Sequence, residues 1–137
     1  MLLKTECRDK ITKAKDIAKI MQALLQVENE IDRDKEHFWS IGLKTNNMIK
    51  YIELVTLGLL DQTIIAPREL FRMAISQGVK HIIIVHNHPS GELTPSNHDA
   101  RITKELKDAG KIIDIPILDH VIITQDSYFS FNDKGLM

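Results

Sequence analysis

The sequence predicts an α/β domain in which a mixed β-sheet is flanked by helices. Three observations carry this. Segments of helical period alternate with segments that are β-branched or alternate in polarity. One strand-like segment, His81-Ile82-Ile83-Ile84-Val85, is apolar on both faces, as a strand covered from both sides must be. The chain of 137 residues, 43% hydrophobic and 27% charged, suits one domain with a core of its own, since ~100–150 residues is the usual size.

The elements follow in order. Residues 9–28 form an amphipathic helix: Ile11, Ala14, Ile17, Ala18, Met21, Leu24 and Leu25 recur at helical spacing, with Lys10, Lys13, Lys15 and Lys19 off that stripe. This helix reads as a linker or an interaction helix. The polar stretch 28–35 divides the chain into an N-terminal helix or linker, 1–29, and a domain, 30–137. His37 to Leu43 alternates like a strand, Lys44-Thr45-Asn46-Asn47 is a turn cluster, and Met48 to Leu57 is a second strand, so 37–57 predicts a hairpin. Pro67 opens a helix that runs from Arg68 to Gln77 and ends at Gly78. The buried strand at 81–85, a polar loop at 87–95 and a helix from Ser96 to Ala109, ended by Gly110, come next. Ile115 to Thr124 and Ser127 to Phe131 are the last strands, giving the order α-ββ-α-β-α-ββ.

Lysine and arginine total 18 against 19 acidic residues, a formal net charge of −1. Dedicated nucleic-acid binders usually carry a basic excess, so the balance disfavours direct binding to DNA or RNA. The single cysteine, Cys7, excludes a disulfide framework, a multi-thiolate metal site and a CxxC redox pair. The N-terminus meets charge too early for a signal peptide, and no apolar run approaches the ~20 residues of a membrane span. A cytoplasmic protein is expected.

The segment from His86 to Asp99 carries chemistry. His86 and His88 stand at i and i+2 on extended chain and point to one side. The loop returns to a helix whose first turn holds Asp99. Two imidazoles and a carboxylate form a three-ligand set of the kind that binds Zn²⁺ and leaves a fourth position for water. Ser96-x-x-Asp99 also reads as a helix capping box. The two readings are compatible, because Ser96 can cap while Asp99 ligates.

H-x-H, seven residues, then S-x-x-D resembles the JAMM zinc signature of the JAB1/MPN metallopeptidases, and His86, His88, Ser96 and Asp99 match it without a gap. The form His-Asn-His-Pro-Ser-Gly is similar to the RadC branch. Pro67 to Arg72, Leu118 to Ile123 and Tyr128 to Phe131 agree with it, so the likeness covers residues 30–137. The resemblance implies the cytidine-deaminase-like (JAB1/MPN) fold, zinc held by His86, His88 and Asp99, and amide or isopeptide hydrolysis. It implies that Ser96 holds the attacking water or the oxyanion, and that an upstream glutamate is the general base. Glu36, fifty residues before His86, occupies that place; Glu53 is the rival, and Glu69 reads as ordinary first-turn helix chemistry. Asn87 stands where eukaryotic isopeptidases carry serine or threonine, and Gly58-Leu59 where RadC proteins often carry glycine-threonine. His98 is expected to be exposed and not a fourth ligand. Asp119 and His120 either support the ligands from behind or are simply structural.

Other readings fall away. The HNH nuclease residues are spread over a ββα unit and are not a contiguous tripeptide. The H-x-E and P-C-x-x-C of zinc deaminases, H-E-x-x-H and the P-loop are all absent. The expected partner is a protein or peptide substrate. The alternative is a DNA-repair-associated accessory module whose metal site is structural or vestigial. A homodimer through the first helix or a sheet edge is a further expectation.

Overall fold

The computed structural model describes residues 2–4, 10–58 and 65–137. Cys7, Asp9 at the start of the expected N-terminal helix, and Leu59 lie outside them. Residues 10–13, also expected to be helical, are not helical, and the helix starts at Ala14. Among the described residues, ten elements follow one another: β1 (Leu2–Lys4), α1 (Ala14–Gln26), α2 (Glu30–Arg33), β2 (Glu36–Leu43), β3 (Ile49–Gly58), α3 (Pro67–Gln77), β4 (His81–Asn87), α4 (Asn97–Ile112), β5 (Ile117–Ile123) and β6 (Tyr128–Ser130). The strands form one mixed sheet in the order β1-β3-β2-β4-β5-β6. Only β4 and β5 are parallel, because α4 carries the chain between them; the other pairs are antiparallel.

The alternation along β4 explains why it is apolar throughout. Ile83 and Val85 face one layer, where they meet Trp39, Ile41, Val121 and the buried stripe Ile17, Ala18, Met21 and Leu25 of α1. Ile82 and Ile84 face the other, with Phe38, Tyr51, Leu70 and Phe71 of α3, and Ile102 and Leu106 of α4. The architecture is therefore three layers: α1 below, the sheet, then α3 and α4 above. The first helix, read as a linker or interaction helix, packs its apolar stripe into this core. Each such Ile or Leu contributes on the order of 1.5–3 kcal/mol by burial.

The expected hairpin is β2–β3, its turn closed by Lys44 N–H donating to the Met48 carbonyl at 2.9 Å, with Asn47 at φ 64°. Gly78 ends α3 in the left-handed conformation, as proline-first, glycine-last punctuation predicts. Gly110 does not end its helix. α4 continues to Ile112, and the chain reverses at Asp114, φ 60°. Gly110 is buried where the Ile115 backbone crosses: a Cβ there would lie 2.6 Å from the Ile115 carbonyl oxygen. β1 and α2, of three and four residues, are too short for a periodic signal.

Candidate metal centre

β4 and the extended chain after it present two histidines to the α4 layer. His86 is fully buried, with Phe38 stacked at 6.2 Å between ring centroids. The backbone N–H of His88 donates to the Ile123 carbonyl at 2.9 Å, so the chain stays extended past the strand and both imidazoles fall on one side. The chain then turns through Gly91 at φ 87°. This lets the His88 Nδ1–H donate to the Glu92 carbonyl at 2.7 Å. A carbonyl can only accept, so the proton sits on Nδ1 and Nε2 faces inward.

α4 delivers the carboxylate. Ser96 Oγ accepts from the Asp99 N–H at 3.0 Å, and Ser96 N–H donates back to Asp99 Oδ2 at 2.9 Å, a complete capping box. Capping and convergence coexist: Asp99 Oδ1 lies 3.3 Å from His86 Nε2, and Oδ2 lies 3.2 Å from His88 Nε2. The two Nε2 atoms are 2.9 Å apart. His86 and Asp99, both buried, and half-buried His88 are thus a set that could hold a metal ion.

The cluster favours positive charge at its centre. Burial opposes ionisation of Asp99, but the two histidines and the Ser96 N–H outweigh it and hold the carboxyl far below the usual range. Burial also pulls His88 down, yet Asp99, the Glu92 carbonyl and the charge of Glu36 raise it above an ordinary histidine. His86, deeper, is lowered by burial despite Asp99.

Glu36 is the first residue of β2, where Phe38 pairs with His86. Glu36 stands two residues before Phe38, so the alternation of β2 puts it on the same face as Phe38 and His86. Its charge raises the proton affinity of both histidines. Asn87, between the histidines, ties the segment bearing Glu36 to the loop. Its Oδ1 accepts from the His37 N–H at 2.6 Å, and its Nδ2–H donates to the Lys35 carbonyl at 3.0 Å. Glu53 lies elsewhere: it pairs with Ser40, is buried, and feels Arg72 and Glu69. His98 is half-buried, not exposed as expected, and lies outside the His-His-Asp set.

Behind the cluster, Asp119 and His120 divide the labour left open by the sequence. Asp119 is a structural clamp, accepting from the His120 and Asn132 N–H groups at 2.7 and 3.0 Å and from Ser130 Oγ at 2.5 Å. His120 lies within reach of the cluster, its Nε2 2.7 Å from His86 Nδ1. Sequence reasoning missed Thr103, whose Oγ1 is 2.5 Å from His120 Nδ1. Its only signal is its place one turn after Asp99, beside Ile102 on the apolar face.

Two clefts flank the loop at Pro89-Ser90. One, of about 480 Å³, is bounded by Asp34, Lys35, Glu36, Gly58, Pro89 and Ser90. The other, of about 410 Å³, includes Arg33, Asn87, His88, Gly91 and Thr124.

A three-layer α/β domain that brings two histidines, one on β4 and one just past it, together with a helix-cap aspartate at one sheet end has the form of a JAB-type domain with a set that could hold a metal ion. The chain belongs to the RadC-like JAB domain family, whose model matches residues 11–136. It is 45% identical over 106 residues to a UPF0758 protein of Chlorobium chlorochromatii, covering 77% of this chain and 48% of the relative. It is 44% identical over 128 residues to a UPF0758 protein of Chlorobaculum parvum, covering 93% and 55%. A UPF0758 protein of Flavobacterium johnsoniae is 40% identical over 127 residues, covering 93% and 53%. The chain spans about half the length of the curated relatives it matches. Among the described residues, no helix is long and apolar enough to cross a membrane.

Proposed function

We propose that this chain is a zinc-dependent hydrolase domain acting on amide or isopeptide bonds. The observation that carries this is the inward set of donor atoms, His86 Nε2, His88 Nε2 and the Asp99 carboxylate, separated by 2.9, 3.2 and 3.3 Å. Zinc bound at ~2.0–2.1 Å in a tetrahedron has ligands roughly 3.3 Å apart, so the spacing and the N, N, O chemistry fit. Three protein ligands leave one position open, which favours a catalytic over a closed structural site.

Bound zinc would lower the pKa of a water toward ~7 and polarise a carbonyl oxygen. The chain's own groups do the rest. Glu36, held from both sides by Asn87, takes a proton from the attacking water and returns it to the leaving nitrogen. The Ser96 hydroxyl accepts from the Asp99 N–H, a bond that does not use its hydrogen, and donates to the developing oxyanion. The clefts on either side of Pro89-Ser90 suit a substrate that runs past the site as extended chain.

The test is paired metal analysis and peptide cleavage. Wild type should hold one zinc per chain, Asp99→Ala none, and Glu36→Gln should keep zinc while cleavage falls at least about 10²-fold. Undiminished cleavage by Glu36→Gln would overturn the assignment of the base. Zinc bound without cleavage of any peptide or isopeptide by wild type would favour the accessory-module reading.

A further inference from the structure

We infer that Thr103 and His120 are positioning residues for the metal site, acting through a one-directional chain of hydrogen bonds that fixes the tautomer of His86. The inference rests on the metal reading proposed above for the same cluster.

The direction follows from one carbonyl. Thr103 Oγ1 donates to the Asp99 backbone oxygen at 2.7 Å, and that oxygen can only accept. The hydroxyl's one hydrogen is therefore used. Its second contact, His120 Nδ1 at 2.5 Å, must be the donor, so His120 carries its proton on Nδ1. His120 is fully buried and stacks on Phe131 at 4.7 Å, with Phe38 edge-on at 6.0 Å. In that apolar slot, with a hydroxyl and an imidazole as ring partners, it is a neutral imidazole whose Nε2 accepts. His86 Nδ1, 2.7 Å away, must then donate. This leaves the lone pair of His86 Nε2 pointing at His88 Nε2 and Asp99.

The chain begins on the backbone of one member of the cluster and ends on the ring of another. Thr103 lies on the same helix as Asp99, one turn on, so the helix that delivers the carboxylate also orients the histidine. His88 reaches the same tautomer independently through the Glu92 carbonyl. Both imidazoles thereby carry a proton on Nδ1 and turn Nε2 to the centre of the cluster, the orientation a cation site requires.

The experiment combines zinc affinity, by competition with a chromophoric chelator, with long-range ¹H–¹⁵N NMR of the histidine rings. In the metal-free wild-type chain, in mildly alkaline buffer, His86 and His120 should both give Nδ1–H spectra. Thr103→Val and His120→Phe should weaken zinc binding about 10- to 100-fold, whereas Thr103→Ser should stay within about threefold of wild type. Melting of the metal-free variants separates folding from affinity, and the Ser/Val pair at Thr103 differs chiefly in the hydroxyl. A His86 Nε2–H spectrum in wild type would overturn the inference. So would zinc binding by folded Thr103→Val and His120→Phe as tight as wild type. If wild type binds no zinc, the proposed function fails while the NMR result still decides the tautomer chain.

Discussion

Asn87 sits between two histidines of the cluster and turns its side chain to the neighbouring strand, bonding the backbone on both sides of Glu36. The sequence offers Asn87 only as a mark of lineage; its role depends on strand register, which no local pattern states. Asn87→Ala leaves the buried His37 N–H without its side-chain acceptor, while the Lys35 carbonyl keeps the His37 Nδ1 contact at 2.9 Å. The substitution should lower unfolding stability by roughly 1–3 kcal/mol in urea titrations. Glu53 gives a second test at this scale. Burial pushes its carboxyl above the ordinary glutamate value, with Arg72 opposing and Glu69 adding to the shift. The folded state then holds this proton more tightly than the unfolded state. The stability Glu53 contributes is present at low pH and is lost as pH rises through the folded value. Glu53→Gln should therefore melt higher than wild type near about pH 7 and lose that advantage near about pH 5. It should also keep zinc and cleavage, since Glu53 pairs with Ser40, away from the register of His86 and Glu36.

At the scale of elements, the helix bearing Asp99 shows where sequence punctuation misleads. Glycine after an apolar stripe reads as a stop, and at Gly78 it is one. At Gly110 the same letter serves close packing: the helix runs on for two residues while Ile115 N–H donates to the Gly110 carbonyl at 2.9 Å. The two roles make opposite predictions. Helix propensity alone would have Gly110→Ala stabilise by about 1 kcal/mol. The approach of the Ile115 carbonyl predicts a net loss of about 1–3 kcal/mol by overpacking, read from the denaturation midpoint. The hairpin, the buried central strand and the Ser96–Asp99 cap were legible because their signals are local. Strand order was not, because pairing β4 with both β2 and β5 joins residues distant in sequence. Thr103 escaped for the same reason: a threonine one turn into an amphipathic helix gains meaning only from a histidine on β5.

For the whole molecule, the two-faced sheet sets what the site can be. α1 covers one face with its apolar stripe, and the family match over residues 11–136 includes that helix. On the other face, α3 and α4 bury the apolar residues of β4 up to Ile84, and the cluster takes over at the strand's end. The metal-capable set was readable from fourteen contiguous residues because both strand and helix contribute from one loop connection. Around it, Glu36 came from the resemblance and His120 was one of two readings left open, whereas Thr103 went unread because its contact with His120 joins a helix to a distant strand. The central claim is that the bound ion is zinc held by His86, His88 and Asp99. The most direct measurement is zinc K-edge X-ray absorption on the chain carrying one equivalent of zinc. The predicted spectrum has imidazole nitrogen and carboxylate oxygen neighbours at ~2.0–2.2 Å and no sulfur at ~2.3 Å, and this signature disappears in Asp99→Ala. A sulfur neighbour, a spectrum without imidazole scattering, or a chain that leaves zinc in solution would contradict it.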